Sequence, residues 1–332
     1  MNVEAQRVAH ALNVIMHDNL RKTHKNLLWV LVIALALSAA SAARATGGLD
    51  LTRTYLSAYA NDCAFGAAHV KTLRRYKVLL VPGYLADLNP TYFADQMRWL
   101  ASIGVEHKKV AITSGQSVEI NGAIVSAAIR DSGKPVILIT HSKGSVDALE
   151  ALLSEPALRT KVKGWISLQG PFFGSPVADK LLDGALLNPI VATVILVFFG
   201  GTRESAQGLT TGASLAYYRA RAVAISQLVR DVPAIAFASV LDSTPSAPAN
   251  TALEMPHELM SRDGIRSDGL VPLDAAVLPG MDFVKVSGVD HIAPVMPAQQ
   301  HFDRVRMTKA LLLALSAPFR GLPRDEGCKG RR

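Results

Sequence analysis

The segment PVILITHSKGSVDAL, residues 135–149, contains the serine with the clearest chemical potential, Ser142. An apolar run typical of a buried strand leads into Thr-His-Ser-Lys-Gly, and a helical pattern follows at once. A serine hydroxyl becomes a nucleophile when a base takes its proton and a sharp turn exposes its oxygen. The segment matches Gly-x-Ser-x-Gly with Thr140 in place of the first glycine. We predict a nucleophile elbow at Ser142; the alternative is an ordinary serine at a helix N-cap.

Attack on a carbonyl also needs hydrogen-bond donors for the oxygen that becomes negative. The amide of Lys143 follows the nucleophile at the start of the predicted helix, where the helix dipole favours negative charge. A second amide is expected in VLLVPGYLAD, where Gly83 permits a turn and Tyr84 is the natural donor. Pro-Gly-Tyr is also typical of a plain turn. We predict an oxyanion hole from the Tyr84 and Lys143 amides, with the Lys143 side chain in solvent.

A base for Ser142 is expected in DFVKVSGVDHIAPV, where a strand pattern is followed by a short loop carrying His291. The alternative histidines fit less well, because His301 falls in the predicted final helix and His257 lies far upstream of that strand. A histidine in this position can take the serine proton if a carboxylate orients its ring. We predict His291 as the general base.

The carboxylate is expected in IRSDGLVPLDAAVLPG, where Asp268 stands in a turn-forming Asp-Gly pair. Asp268 precedes His291 by enough residues for one intervening strand. Asp242, at the end of the run AIAFASVL, is the alternative. Asp290 is disfavoured because side chains of neighbouring residues rarely face each other.

From Lys77 onward, short aliphatic runs alternate with helical patterns, which indicates a parallel sheet covered by helices. Strands are predicted for KVLLVP, KVAIT, PVILIT, VKGWISL, AIAFASV and DFVKVS. Helices are predicted over residues 92–104 and 116–130, from Ser142 to before Pro156, and from about Pro297 to Leu315. The near-continuous apolar character of the strands is typical of strands buried on both faces.

Residues 186–201, LLNPIVATVILVFFGG, interrupt this alternation with an apolar segment too short to span a bilayer. The segment fits either a packed core helix or a lid whose apolar face covers a binding cleft and contacts a lipid interface.

The net charge of +8 comes largely from the two ends of the 332-residue chain. Residues 1–45 and 320–332 each carry five basic and two acidic residues, so the body lacks the basic surface that nucleic-acid binding needs. Residues 1–45 also combine a basic segment, an apolar core and Ala-x-Ala sites ending at Ala42 and Ala45, which predicts a signal peptide and export to the periplasm or beyond. An uncleaved membrane anchor is the alternative. The true start is expected at Met16.

The two cysteines, Cys63 and Cys328, could pair in an oxidising compartment, and their spacing indicates no metal site. The pairing is left open.

Together, the motifs resemble bacterial triacylglycerol lipases and their esterase relatives in the α/β-hydrolase superfamily, over roughly residues 76–300. Beyond the elbow, SLQGPFFGSPVADKL, GLTTGASLAYY and SDGLVP are similar to segments of those lipases, and the last is similar to their catalytic-acid loop. The resemblance implies an α/β-hydrolase fold with a mostly parallel sheet, helices on both faces and a short apolar lid at 181–205. Ala293 replaces the aspartate of relatives that bind calcium, so no metal or other cofactor is expected.

The resemblance further implies hydrolysis of carboxylic esters through an acyl-enzyme, with triacylglycerols or shorter acyl esters as substrates. The alternatives are a polyhydroxyalkanoate depolymerase, another acyl hydrolase, or a non-catalytic lipid-binding homologue. Residues 46–75 would form a lead-in and residues 76–319 the hydrolase domain, and a secretion chaperone stays an open question. Three apolar residues are expected to wall the acyl pocket: Leu85, Phe172 and Phe173.

Overall fold

The computed structural model describes most of the chain after the predicted signal peptide. The described residues are 47–84, 86, 89–183, 203–241, 251–297, 302–315, 317–319 and 321–322. The predicted signal peptide at 1–45, the core of the predicted lid at 184–202, and Cys328 lie outside these ranges. The pairing of Cys63 with Cys328 therefore stays open, as the sequence left it.

A parallel sheet forms the centre of the described structure. Its six strands are β1 (Lys77–Val81), β2 (His107–Lys109), β3 (Val136–His141), β4 (Val162–Leu168), β5 (Ala234–Val240) and β6 (Asp282–Ser287). They lie in the order β2-β1-β3-β4-β5-β6, and every neighbouring pair is parallel. Strands β3 and β5 are buried along their whole length, as the continuous apolar runs predict.

Helices connect the strands and cover the sheet. In chain order they are α1 (Thr52–Ala60), α2 (Ala67–Leu73), α3 (Ala94–Ser102), α4 (Val118–Arg130), α5 (Lys143–Ser154), α6 (Pro176–Leu182), α7 (Arg203–Gln207), α8 (Thr211–Asp231), α9 (Thr251–Arg262) and α10 (Arg304–Leu315). Short 3-10 turns occur at Asp62–Ala64, Pro156–Thr160, Leu273–Ala276 and Ala317–Phe319. The helices predicted at 92–104, 116–130 and after Ser142 are present, within two residues of the expected ends.

The second strand lies earlier than the sequence indicated. KVAIT predicted a strand over residues 109–113, but β2 spans His107–Lys109 and Val110 makes the last hydrogen bond to β1, from its amide to the Leu80 carbonyl at 2.9 Å. Beyond it, the Thr113 amide donates to the Asn121 side chain on α4 instead. Val110 and Ile112 are buried whereas Ala111 and Thr113 are exposed, and beyond Val110 the run does not pair with β1 because its backbone bonds go to the loop and to α4.

The final helix also begins later than predicted. It starts at Arg304 and not near Pro297, because Asp303 accepts a hydrogen bond from the Arg306 amide at 2.8 Å and so occupies the capping position. His301 lies outside the described residues.

The segment before the predicted domain joins the same sheet. Leu49 and Leu51 exchange backbone hydrogen bonds with Phe283 on β6, at 2.9 and 2.8 Å, and α1 packs against α10 and β6. None of the helices in the described ranges is long and apolar enough to cross a membrane.

The strand order creates a switch point between β1 and β3. The chain leaves β1 toward β2 on one side, whereas from β3 it proceeds toward β4 on the other. Ligands of open parallel sheets bind at such a point, outside the carboxyl ends of the strands. The predicted oxyanion loop after β1 and the elbow after β3 therefore lie side by side.

Candidate active site

The turn between β3 and α5 holds Ser142 in a strained backbone conformation. Its φ of 53° and ψ of −133° are rare for a residue with a side chain. Close approach explains the glycines on either side. A Cβ on Gly144 would lie 2.3 Å from the Pro82 carbonyl oxygen, and a Cβ on Gly83 would lie 2.7 Å from the Ser142 Cβ. The loop after β1 thus packs directly on the elbow.

Thr140 occupies the first position of the motif without disturbing the turn. Its side chain points into the interior, where Oγ1 lies 2.8 Å from the Ser145 hydroxyl and accepts the Trp165 indole N–H at 3.0 Å. These buried partners satisfy the threonine hydroxyl.

The structure brings Ser142, His291 and Asp268 into one hydrogen-bonded chain. The Ser142 Oγ lies 2.9 Å from the His291 Nε2, and the His291 Nδ1 lies 2.9 Å from the Asp268 Oδ2. The His291 and Asp268 side chains are 5% and 2% exposed, so the hydrogen bond between them is shielded from water. This geometry lets the imidazole take a proton from the serine while the carboxylate faces its other nitrogen.

The carboxylate is fixed by its own loop. The second oxygen of Asp268, Oδ1, accepts the Leu270 and Val271 amides at 2.9 and 2.8 Å. The His291 amide donates to the Asp268 carbonyl at 2.9 Å, which ties the two loops together. These bonds leave only Oδ2 of this carboxylate facing the ring.

The alternative acids and bases lie elsewhere. The Asp290 side chain accepts the Ile292 and Ala293 amides and so shapes the loop that carries His291. His257 lies on α9, where its Nε2 is 3.4 Å from the Ser261 hydroxyl. Asp242 lies outside the described residues.

The Lys143 side chain is buried, contrary to the prediction that it is solvated. It is 1% exposed and its Nζ donates to the Asp147 Oδ1 at 2.7 Å, one helical turn along α5. Asn121 donates to the other Asp147 oxygen at 3.2 Å, and the Tyr84 ring lies 5.8 Å from the ammonium. Burial raises the pKa of Asp147 to about 7, against the opposing attraction of the Lys143 ammonium. The Lys143 ammonium therefore pairs with the Asp147 carboxylate and not with solvent.

Breaking this pair on one side is expected to destabilise the fold. Asp147→Ala leaves a buried ammonium without its carboxylate and should lower the free energy of unfolding by about 3–5 kcal/mol, measured by urea denaturation. The double variant Lys143→Met/Asp147→Leu removes both charges and should recover most of that loss. A single variant as stable as the wild type would contradict this interpretation.

An apolar cavity opens beside the serine. Its empty volume is about 500 Å³, including the part open to solvent. Its wall consists of Tyr84, Tyr92, His141, Ser142, Pro171, Ser175, Leu209, Leu270, Val271, His291, Ile292 and Met296. An apolar pocket that contains a few polar groups at one end is typical of small-molecule sites.

The wall differs from the predicted one. Phe172 is buried edge-on against Trp165, with ring centroids 5.9 Å apart, and Phe173 packs on Tyr218 at 4.9 Å. Phe172 is buried and Phe173 half-buried, neither lines the cavity, and their neighbour Pro171 does. Leu85 lies outside the described residues.

The predicted lid is described only at its two ends, in the last turn of α6 and the first residues of α7. At the second end, the Ser205 carbonyl accepts a hydrogen bond from the Tyr84 hydroxyl at 2.7 Å. The residue predicted to donate to the oxyanion is therefore linked through its side chain to the end of this segment.

Sequence reasoning missed three buried polar residues that border the site: Tyr92, His141 and Gln169. Their side chains form hydrogen bonds with one another, with the loops after β1 and β6, and with Ser239 on β5. The only signal in the sequence was the position of His141 next to Ser142. In the part of the chain that the structure describes, no three His, Cys, Asp or Glu side chains are grouped to hold a metal ion.

No protein-family model matches the chain. No curated protein matches its sequence. Solved structures do match. The metagenomic carboxyl esterase MGS0156 is 22% identical with a TM-score of 0.58, over 73% of this chain and 76% of that one. The mature lipase BlEst2 from Bacillus licheniformis is 19% identical with a TM-score of 0.58, over 74% and 93%.

A third match is EstA from Clostridium botulinum, 10% identical with a TM-score of 0.51, over 73% of this chain and 87% of that one. At such identities the likeness concerns the fold, and it confirms the predicted fold class and the predicted resemblance at that level. The chain has the α/β-hydrolase fold, built on a parallel six-stranded sheet in the described residues and similar to that of bacterial esterases and lipases.

Proposed function

We propose that this protein is a serine hydrolase that cleaves carboxylic esters through an acyl-enzyme. The observation that carries the proposal is the hydrogen-bonded chain from Ser142 through His291 to Asp268, at a strained turn beside an apolar cavity. Activated serines of this kind act on acyl compounds. The esterase and lipase names of the similar structures agree with this reaction.

In the proposed mechanism, the Ser142 oxygen attacks the ester carbonyl while its proton passes to the His291 Nε2. The carbonyl oxygen becomes an oxyanion, to which the amides of Tyr84 and Lys143 donate. Lys143 is the first residue of α5, where backbone N–H groups have no partner within the helix. Loss of one such donor typically costs about 3 kcal/mol of transition-state stabilisation.

The tetrahedral intermediate then collapses, and the carbon–oxygen bond to the alcohol breaks. The alcohol leaves with the proton held by the imidazole. Water attacks the acyl-enzyme by the same route, with His291 taking its proton, and releases the acid and free Ser142. Throughout, Asp268 stabilises the imidazolium and keeps the Nδ1 proton on its own side of the ring.

We propose that this cavity accommodates short or medium acyl chains better than long ones, because its empty volume of about 500 Å³ already includes space open to solvent. Its wall beyond Ser142 is apolar, as an acyl chain requires. We also propose, from the sequence alone, that residues 181–205 cover this cavity and contact lipid. On the same basis we propose that residues 1–45 direct export and are then removed. N-terminal sequencing of the mature protein tests this proposal.

Hydrolysis of p-nitrophenyl acetate, butyrate, octanoate and palmitate tests the proposed function. We expect turnover of the series, with kcat/KM higher for butyrate than for palmitate. A fluorophosphonate should inactivate the enzyme, because the Ser142 oxygen displaces fluoride from phosphorus, and the peptide that contains Ser142 should gain the mass of the phosphonyl group. Turnover of no ester together with no labelling would contradict the proposal and favour a lipid-binding protein. An optimum at palmitate would contradict the short-chain expectation alone.

A further inference from the structure

A buried chain of hydrogen bonds links the two loops on which the proposed reaction depends. The Gly83 amide, next to the proposed oxyanion residue, donates to the Tyr92 hydroxyl at 2.9 Å. That hydroxyl lies 2.5 Å from the His141 Nδ1. On the other side of the same ring, the Nε2 lies 2.8 Å from the carbonyl oxygen of His291. One imidazole therefore connects the oxyanion loop to the loop that carries the base.

The direction of these bonds follows from their partners. A carbonyl oxygen can only accept, so the His141 Nε2 carries a hydrogen and donates it to His291. In a neutral ring the Nδ1 is then an acceptor, and the Tyr92 hydroxyl donates to it while accepting from Gly83. Burial, and then the nearness of His291, lowers the pKa of His141 well below its ordinary value, so the ring is neutral.

Gln169 adds a second connection. It lies just after β4 with a positive φ of 51° and is fully buried. Its Nε2 donates to the Ser239 hydroxyl at 2.6 Å and to the Asp290 carbonyl at 2.9 Å, and its Oε1 lies 3.2 Å from the His141 Nε2. The loop that carries His291 is therefore held at two successive backbone carbonyls, those of residues 290 and 291. Gln169 binds the first and His141 the second, and these two side chains also contact each other.

We infer that Tyr92, His141 and Gln169 are positioning residues that fix the distance between the oxyanion amide after Gly83 and the His291 ring. The inference rests on the proposed function, because it assigns these residues to that reaction. They touch neither the transferred proton nor the proposed oxyanion. They act by holding both loops in the arrangement that the transition state needs, so their loss affects kcat more than KM.

Tyr92→Phe tests the inference, because it removes the hydroxyl and keeps the ring in the cavity wall. We expect kcat on p-nitrophenyl butyrate to fall by about 10- to 100-fold, with KM changed less than about twofold. Tyr55→Phe is the matched control, since Tyr55 is another buried tyrosine, on α1, whose ring packs against Tyr59 and Phe237 and not against Tyr92 or His141. The control should keep the wild-type kcat.

Hydrogen–deuterium exchange provides a readout that needs no turnover. In Tyr92→Phe the amides of Gly83 and Tyr84 and the non-proline amides of residues 288–296 should exchange faster, although the Tyr92 hydroxyl bonds directly to Gly83 and His141 and not to the second segment. Gln169→Met should also make both segments exchange faster, although the Gln169 side chain bonds directly to the second segment and not to the first. Faster exchange confined to the loop next to each substitution would overturn the inference.

An unchanged kcat in folded Tyr92→Phe would overturn it as well. So would a kcat loss of equal size in Tyr55→Phe, because that would reflect general destabilisation. If the wild type cleaves no ester, the proposed function fails, and the exchange data alone decide whether the two loops are linked.

Discussion

Replacing Ser142 by alanine is expected to lower kcat by about a millionfold, the scale seen when the nucleophile of a Ser-His-Asp enzyme is removed. Without the Oγ no acyl-enzyme can form, and His291 loses the hydroxyl 2.9 Å from its Nε2. The stability should change little, because alanine meets the same backbone strain at a φ of 53°. Steady-state hydrolysis of p-nitrophenyl butyrate and the melting temperature measure both effects.

The control for this experiment is Ser102→Ala, at the exposed end of α3, where the hydroxyl bonds only to the Trp99 carbonyl in its own helix. It should keep the wild-type kcat. If Ser142→Ala retained more than a tenth of the wild-type kcat, a different nucleophile would have to be sought.

Asp268→Asn should lower kcat by about 10⁴-fold, for a reason that the loop geometry makes specific. The Leu270 and Val271 amides require an acceptor at the Oδ1 position, so the asparagine oxygen must occupy it. The amide nitrogen then faces the His291 Nδ1, which must become an acceptor. The ring proton moves to Nε2, and the ring can no longer take the proton of Ser142.

The exposed Asp274, which pairs with Lys285, offers a control for the loss of a negative charge. Asp274→Asn should leave kcat unchanged, and both variants should melt near the wild-type temperature. A loss in Asp268→Asn below tenfold would show that the carboxylate does not set the tautomer. That result would direct attention to Asp242, the acid that the sequence left as an alternative.

Much of the sheet could be predicted from the sequence because its central strands are buried on both faces and the apolar residues of the others still form short strand-like runs. The runs VKGWISL, AIAFASV and DFVKVS match β4, β5 and β6 residue for residue. The second strand was misplaced because an apolar run reports burial and not hydrogen-bond pairing. Val110 and Ile112 are buried, yet beyond Val110 the backbone bonds to the loop and to α4 and not to β1.

Among the side chains of the site, too, some could be predicted from a local sequence pattern and others could not. Ser142 and His291 stand in loops that follow strands, where a local pattern points to them. Burial of Lys143 could have been expected from Asp147 four residues later, a spacing that allows an ion pair on one helix face. The hydrogen bonds of Gln169 could not have been expected, because they reach residues 28 to 121 positions away in the sequence.

The hydrogen bonds of Leu49 and Leu51 to Phe283 have a consequence for solubility. An open edge strand offers a row of unpaired backbone groups on which another molecule can add its own strand, and aggregation follows from such additions. β6 is the outermost strand beyond β5, and this short segment occupies the N–H and C=O of Phe283. Proteolysis after Ala42 or Ala45 would keep that shield, whereas trimming past Leu51 would expose the edge to self-association.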